Sequence, residues 1–452
     1  MFAYTDFLSC RFAEANPRTP SAHRKGWSDL SESELDDYVA LRLLMGIDQK
    51  PHIRDYWSKD PLHAQRIFPD TMTRDRFDDL TKCLHFEDND GEREEGDRIW
   101  KLRHVINLLN DQCQSVYVPE KTITVDESLW KFRGRLSFVQ YNPSKRARYG
   151  VKVYKLSAST GRGAGYTSSF KLYTGQDKTT KTTSISKQVV CDLMEMSQLF
   201  DKGYTMHTDN WYSSPDLFHY LQYRKTNAVG TVNMWRKCMP VQSDMNLGKP
   251  KGSMARMSTP TGMLCLQWVD RKTVTMLSTC HTSKMVTVRN RHGQEVVKPQ
   301  VVVDYNTGMK GVDLSDQLAK SYPSSRKSLK WYKKIFFFLL DMAVVNAHAV
   351  YKILGNSITQ LDFRKQLIRD LLAPARPAPS PSPTEQLGQS PLLFDHFPTE
   401  LTGRKYNYRR CVLCAKEKIR KMTKSHCIRC NVALCTYGCY ERWHRERYNP
   451  DM

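Results

Sequence analysis

The 452-residue chain has no uninterrupted apolar run of the ~20 residues that a membrane span needs. Its most apolar stretch, residues 335–340, is cut off by Asp341 and then by Asn346 and His348. It reads as a buried helix, and no membrane partner is expected. The first twenty residues hold no long apolar core ahead of their charges, so no secretory leader is expected. No internal repeat is apparent. Acidic residues are in deficit, 47 Asp and Glu against 69 Lys and Arg, which leaves a formal net charge of +22. A surplus of that size points to a polyanionic partner, most simply nucleic acid, through phosphate neutralisation and counterion release. A regular disulfide framework is also missing. Cys10, Cys83, Cys113, Cys191, Cys238, Cys265 and Cys280 stand alone, as buried thiols do in a reducing compartment.

What is present divides along the chain. Residues 1–119 read as helices, with Ser31 and Glu34 forming a capping box and Thr73 capping a further helix. The pattern changes at residue 120. Residues 121–126 alternate as a short strand ending at Asp126, and 151–156 and 169–173 alternate likewise. An amphipathic helix over 185–200, a strand over 204–207 running into Asp209, a helix over 215–223 and a strand over 228–232 follow. Three meandering strands, then helix, strand, helix, strand is the order of a ribonuclease H-like fold. In that order the first and fourth strands lie side by side in parallel, so Asp126 and Asp209 are expected at one sheet edge. Residues 236–300 read as a β-rich insertion. Residues 301–317 complete the core and bring Asp313, and 318–373 form a helical part that packs with the N-terminal helices. Residues 374–403 hold a proline-rich linker, and 404–452 a cysteine-rich module. The expected class is α/β with a helical N-terminal domain, a β-rich insertion and a C-terminal cross-brace zinc module.

Two aspartates closing strands and one opening a helix suit divalent-metal phosphoryl transfer, in which paired ions activate one oxygen and stabilise another. Mg²⁺ (or Mn²⁺) prefers oxygen ligands and keeps several waters, so Asp126, Asp209 and Asp313 with substrate phosphate suffice. Asp316, one helical turn beyond Asp313, is placed to assist. Singly, each of these acids is an ordinary turn residue or helix cap; jointly, on a basic chain, they form a candidate catalytic set. Lys145, Arg146, Arg148 and Lys152 follow Asp126 and are candidates to hold the scissile phosphate, against the alternative of a solvated loop. Lys327, Lys330 and Lys333, with Arg326 and Lys334, form a second basic group that is either a phosphate clamp or the exposed side of a helix.

Six cysteines crowd into residues 411–439. Cys411 and Cys414, Cys427 and Cys430, Cys435 and Cys439, then His444, have the short spacings of tetrahedral zinc ligands. Interleaved pairs imply a cross-brace, with Cys411, Cys414, Cys435 and Cys439 on one ion and Cys427, Cys430 and His444 on another. His426 is a candidate eighth ligand, and a single zinc with spare thiols is the alternative. Residues 404–452 carry thirteen Lys or Arg against four Asp or Glu, which suggests a DNA reader, a chromatin-peptide reader being the competing reading.

The stretches RDYWSKDP (54–61), TVDESLWKFRGR (124–135), YGVKVY (149–154), TDNWYSS (208–214), VGTV (229–232), LSTCHT (277–282), GMKGVDLSDQLAKSY (308–322) and KWYKKIFFFLLDMAVVNAH (330–348) together resemble the piggyBac family of transposases over nearly the whole chain. The tail ending CYERWH (439–444) is of the same type. The resemblance implies that Asp126, Asp209 and Asp313 are the family's DDD site, with Asp316 its further helical aspartate. It implies cut-and-paste DNA transposition at TTAA targets, a homodimer, and tail binding to terminal-repeat DNA in the nucleus. Two departures stand out. The chain begins almost at its first helices, where family members often carry a long acidic segment, and Arg146 stands where the basic loop usually has proline. A domesticated, catalytically silent DNA- or chromatin-binding protein is the rival expectation.

Overall fold

The computed structural model describes residues 28–91, 93–143, 148–175, 184–290, 292–373, 398–400, 408–427 and 430–448. They belong to two compact units, Met1–Arg376 and Pro377–Met452.

The first unit opens with helices α1 (Glu32–Ile47), α2 (Ile67–Thr71), α3 (Arg74–Cys83) and α4 (Trp100–Val116). Ser31 and Thr73 cap as expected, Ser31 Oγ accepting from the Glu34 N–H at 3.1 Å and Thr73 Oγ1 from the Arg76 N–H at 3.3 Å, but the Glu34 carboxylate pairs with Arg76 and does not close the expected box. The sheet follows with β1 (Thr122–Lys131), β2 (Gln140–Tyr141), β3 (Tyr149–Ala158) and β4 (Thr167–Leu172). Next come α5 (Ile185–Met196), β5 (Thr205–Thr208), α6 (Pro215–Tyr223) and β6 (Asn227–Thr231). β1 does not end at Asp126; it runs on to Lys131 because β3 pairs with it antiparallel along that whole length. β1 and β5 pair in parallel, as do β5 and β6, which is the ribonuclease H-like arrangement.

Residues 236–300 do not stand apart from this sheet. β7 (Met254–Ser258), β8 (Leu264–Val269) and β9 (Thr273–Ser278) continue it, with β9 pairing antiparallel to β6. The order is β2-β3-β1-β5-β6-β9-β8-β7, and β4 also pairs with β3. Only β10 (Met285–Arg289) and β11 (Glu295–Pro299) make a separate hairpin. Residues 301–303 return to the core as part of a helix, α7 (Gln300–Gly308), and α8 (Lys310–Ser321) follows it at once.

α9 (Trp331–Ile353) and α10 (Gln360–Leu372) close the unit. With 23 residues, α9 is long and apolar enough to cross a membrane by length and composition alone. Its side chains instead build the interior. Tyr332, Ile335, Phe337, Leu339 and Met342 share one core with Tyr38, Leu41 and Phe77 from the N-terminal helices and Trp130, Val151 and Val153 from the sheet. Its buried Asp341 lies 3.4 Å from the Arg364 guanidinium of α10 and accepts from the Ser324 N–H. The other main core joins Ile123, Val125 and Met206 to Val190, Leu193, Leu217 and Phe218 of α5 and α6. The sheet is thereby sandwiched between helices.

The second unit contains β12 (Pro398–Glu400), β13 (Arg409–Arg410), α11 (Val412–Lys416), β14 (Met422–Thr423), β15 (Ser425–Cys427), β16 (Val432–Ala433) and α12 (Cys439–Tyr448). Its small core holds Leu413, Leu434 and Trp443 among buried cysteines. Most of the expected proline-rich linker lies outside the described residues.

Candidate metal-dependent active site

The register of β1 against β5 pairs Val125 with Thr208, so Asp126 and Asp209 are the next residues at the same edge. Asp126 accepts from the Glu127 N–H at 2.7 Å. Asp209 closes β5 in a turn, its Oδ1 accepting from the Trp211 N–H at 2.9 Å. α8 packs across β1 and β3, with Asp313 in its first turn. The approach is close because Gly311 has no Cβ. One added there would lie 2.7 Å from the Ala158 carbonyl oxygen and 2.7 Å from Thr124 Cγ2. Gly230 does the same for the β5–β6 edge, where a Cβ would meet the Thr208 carbonyl oxygen at 2.6 Å.

The consequence is electrostatic. Burial, and then repulsion from Glu127, Asp209 and Asp313, pushes Asp126 up to about 7 against the donation from the Glu127 N–H. Burial and the charge of Glu127 likewise raise Asp209. Clustered carboxylates that repel one another in a partly buried pocket have the donor chemistry a hard divalent cation requires, since its charge relieves what burial and repulsion oppose. Asp126 and Asp209, with the charge of Asp313 felt at Asp126, are donors of that kind.

Asp316 is placed differently. Its Oδ1 accepts from Ser128 Oγ at 2.6 Å and from Lys155 Nζ at 2.8 Å, and its Oδ2 accepts from Lys320 Nζ at 2.8 Å. Burial would raise this acid, but Lys155 and Lys320 outweigh it and hold Asp316 at about 2. Its oxygens are occupied in tying α8 to β1 and β3. A cleft of about 740 Å³ beside it is lined by Glu127, Leu129, Trp130, Lys155, Asp313 and Asp316.

Three contributors were not singled out from the sequence. Glu127 lies 3.9 Å from Lys152 and accepts from Tyr212 Oη at 3.3 Å. Lys155 is only 1% exposed, and a lysine among the apolar residues of a central strand was its available signal. Arg236 donates to the Asn210 and Trp211 carbonyls at 3.0 and 2.6 Å, bracing the turn after Asp209.

The basic candidates separate. Lys152 stands beside the acids, its Nζ 4.5 Å from the Trp211 ring centroid. Arg148 is exposed, whereas Lys145 and Arg146 lie outside the described residues. Lys327 is exposed on a groove of about 500 Å³ with Arg54, Lys82 and Arg326, and Lys330 is exposed near it. Lys333 is buried and donates to the Thr81 and Lys82 carbonyls at 2.8 and 2.6 Å, capping the end of α3; burial lowers it to about 8.

In the second unit the ligand atoms of Cys411, Cys414, Cys435 and Cys439 lie within 4.8 Å of one another, as do those of Cys427, Cys430 and His444. His444 Nδ1 is 2.7 Å from the Tyr440 carbonyl, which leaves Nε2 to face Cys430 Sγ at 3.6 Å. Orienting a ligand imidazole through its other nitrogen is the usual support for a zinc site. Four thiols suit tetrahedral zinc, whereas two thiols with an imidazole supply three of its four positions, and His426, the candidate eighth ligand, is not among the grouped residues.

A family model described as Transposase IS4 matches residues 8–348. The human PiggyBac transposable element-derived protein 3 is 25% identical over 434 residues, covering 92% of this chain and 71% of that protein. The human Chimeric ERCC6-PGBD3 protein is 25% identical over the same length, but the chain spans 40% of it. The human PiggyBac transposable element-derived protein 2 is 25% identical over 338 residues, 72% of this chain and 56% of the relative. A solved structure, described as a cryo-EM structure of the piggyBac transposase synaptic complex with hairpin DNA, matches with a TM-score of 0.71. It covers 97% of this chain and 94% of that one at 23% identity, a likeness of fold. The family match takes in Asp126, Asp209 and Asp313 and most of the first unit, and the chain is a piggyBac-type member of the Transposase IS4 family.

Proposed function

We propose that the chain is a DDD-type cut-and-paste transposase that cleaves and joins DNA strands at the ends of a mobile element. What supports this reading is the parallel β1–β5 register, which sets Asp126 beside Asp209, with α8 packed across β1 and the charge of Asp313 felt at Asp126. A bound Mg²⁺ or Mn²⁺ supplies Lewis-acid activation of the attacking oxygen and neutralises charge on the phosphate. The protein's own part is to hold and orient. On this reading Asp126, Asp209 and Asp313 present oxygen ligands from within β1, from the turn after β5 and from the first turn of α8. Lys152 offers a positive charge to a phosphate beside them. Lys155 and Asp316 keep α8 seated, so that Asp313 stays in register with the strand acids.

Partners and place follow as part of the same proposal: transposon terminal repeats, a TTAA target, a homodimer and the nucleus. The hairpin-DNA complex of the matching structure and the net charge of +22 support a DNA partner. A plasmid excision assay with matching terminal repeats tests the reading. Asp126→Asn, Asp209→Asn and Asp313→Asn should each abolish strand cleavage with folding retained. Normal excision by any one of them removes that residue from the set. The second reading, a catalytically silent DNA- or chromatin-binding protein, is favoured by relatives named as transposable element-derived. Failure of the unaltered chain to excise, with end binding intact, would select it.

A further inference from the structure

We infer that Trp235 is a base-stacking residue that holds an unpaired nucleobase of a DNA strand next to the acid cluster. The inference rests on the DNA reading above.

The indole is 91% exposed, in a turn that is otherwise tied down. Met234 and Met239 pack against the core that contains Val232 and Leu217. The Trp235 N–H donates to Asn233 Oδ1 at 3.1 Å, and the Arg236 N–H donates to the Asn233 carbonyl at 3.0 Å. The Arg236 side chain reaches the Asn210 and Trp211 carbonyls. Along residues 233–237 the pattern alternates outward and inward, with Met234 and Arg236 in and Trp235 and Lys237 out. An exposed aromatic on a loose loop calls for no explanation. One held outward by anchored neighbours on both sides does, because packing its ring inward would have been favourable.

The location says what it faces. β6 ends beside β5 in parallel, Thr208 opposite Gly230, so the turn carrying Trp235 leaves the sheet at the edge where Asp126 and Asp209 lie. Just before it, Thr231 is hydrogen-bonded to Tyr305, whose hydroxyl feels the charges of Asp209 and Asp126. Lys237, exposed two residues on, adds a positive charge to the turn that favours a phosphate backbone. An exposed aromatic platform in a basic setting is a means by which proteins take up unpaired bases, and it tolerates sequence because every base has a π face. On the transposase reading, a strand end opened at the acid cluster would lie within reach of that edge.

The test uses the full zinc-loaded chain carrying Asp126→Asn, so that DNA is bound and not cut, with and without Trp235→Ala or Trp235→Phe. The probes are a blunt duplex and the same duplex with a short unpaired arm carrying 2-aminopurine. The Asp126→Asn protein should bind the armed duplex more tightly than the blunt one and quench the 2-aminopurine. Trp235→Ala should lose about tenfold in affinity for the armed duplex only, together with the quenching, and Trp235→Phe should keep part of both. Unchanged arm preference or unchanged quenching in Trp235→Ala overturns the inference and leaves the transposase reading standing. Absence of binding to either duplex takes down both.

Discussion

Lys155 and Asp316 carry more of the site's stability than their positions in the sequence suggest. Asp316 falls from 3.8 to about 2, and a shift of that size corresponds to about 2 kcal/mol. The sign follows from a depressed carboxylate: the stabilisation is whole above pH 3.8 and is lost as pH falls through about 2. Asp316→Asn leaves the Lys155 ammonium buried without its countercharge, and should cost about 3 kcal/mol or more near neutral pH by denaturant unfolding. The gap to the unaltered protein should narrow as the pH is lowered below 4. Adding Lys155→Met to Asp316→Asn should recover part of the loss, because the residual cost is that of the unpaired lysine. Asp316 could be picked out as a helical acid one turn from Asp313, but not as an ion-pair member. Its partner sits 161 residues away, and a lysine inside a strand does not announce what it faces. Lys333 shows the same limit in reverse: an expected phosphate contact is spent on the carbonyls that end α3.

At the scale of elements, alternation and helical spacing located β3, β4 and α5 to within a few residues, whereas β1 runs past its expected end at Asp126 to Lys131; Ser31 and Thr73 cap their helices, but Glu34 pairs with Arg76 and does not close a box. Strand partners were legible only where the ribonuclease H-like order dictates them, as for β1 with β5. Nothing local in residues 254–278 says that β9 will pair with β6, since a short alternating run satisfies any neighbour with a matching face. Besides the Lys155–Asp316 pair, α8 depends on one close approach. Gly311→Ala puts a methyl 2.7 Å from backbone and side-chain atoms of β3 and β1, so α8 must shift outward. The expected outcome is a stability loss of about 1–3 kcal/mol and a larger loss of strand cleavage than the unfolding measurement accounts for. Equal stability and cleavage to the unaltered chain would mean that α8 can move without cost to Asp313.

For the molecule as a whole, composition and cysteine spacing were the most legible features, because zinc ligands must be near one another in sequence to close a small module. Chelation should release two zinc ions per chain by mass spectrometry and melt the Pro377–Met452 unit, while the calorimetric transition of Met1–Arg376 stays in place. One ion per chain would leave Cys427, Cys430 and His444 without a metal. Binding to DNA ends should weaken steeply as salt rises, and removal of residues 404–452 should flatten the dependence of log affinity on log salt. The continuation of the sheet through β9, β8 and β7 also decides where the chain tolerates cutting. A fragment stopped after residue 235 would strip the Asn227–Thr231 ribbon of its neighbour and bare a row of unmet amides and carbonyls. Such fragments would zip to one another and precipitate, so a soluble miniature of this chain must keep its apparent appendage.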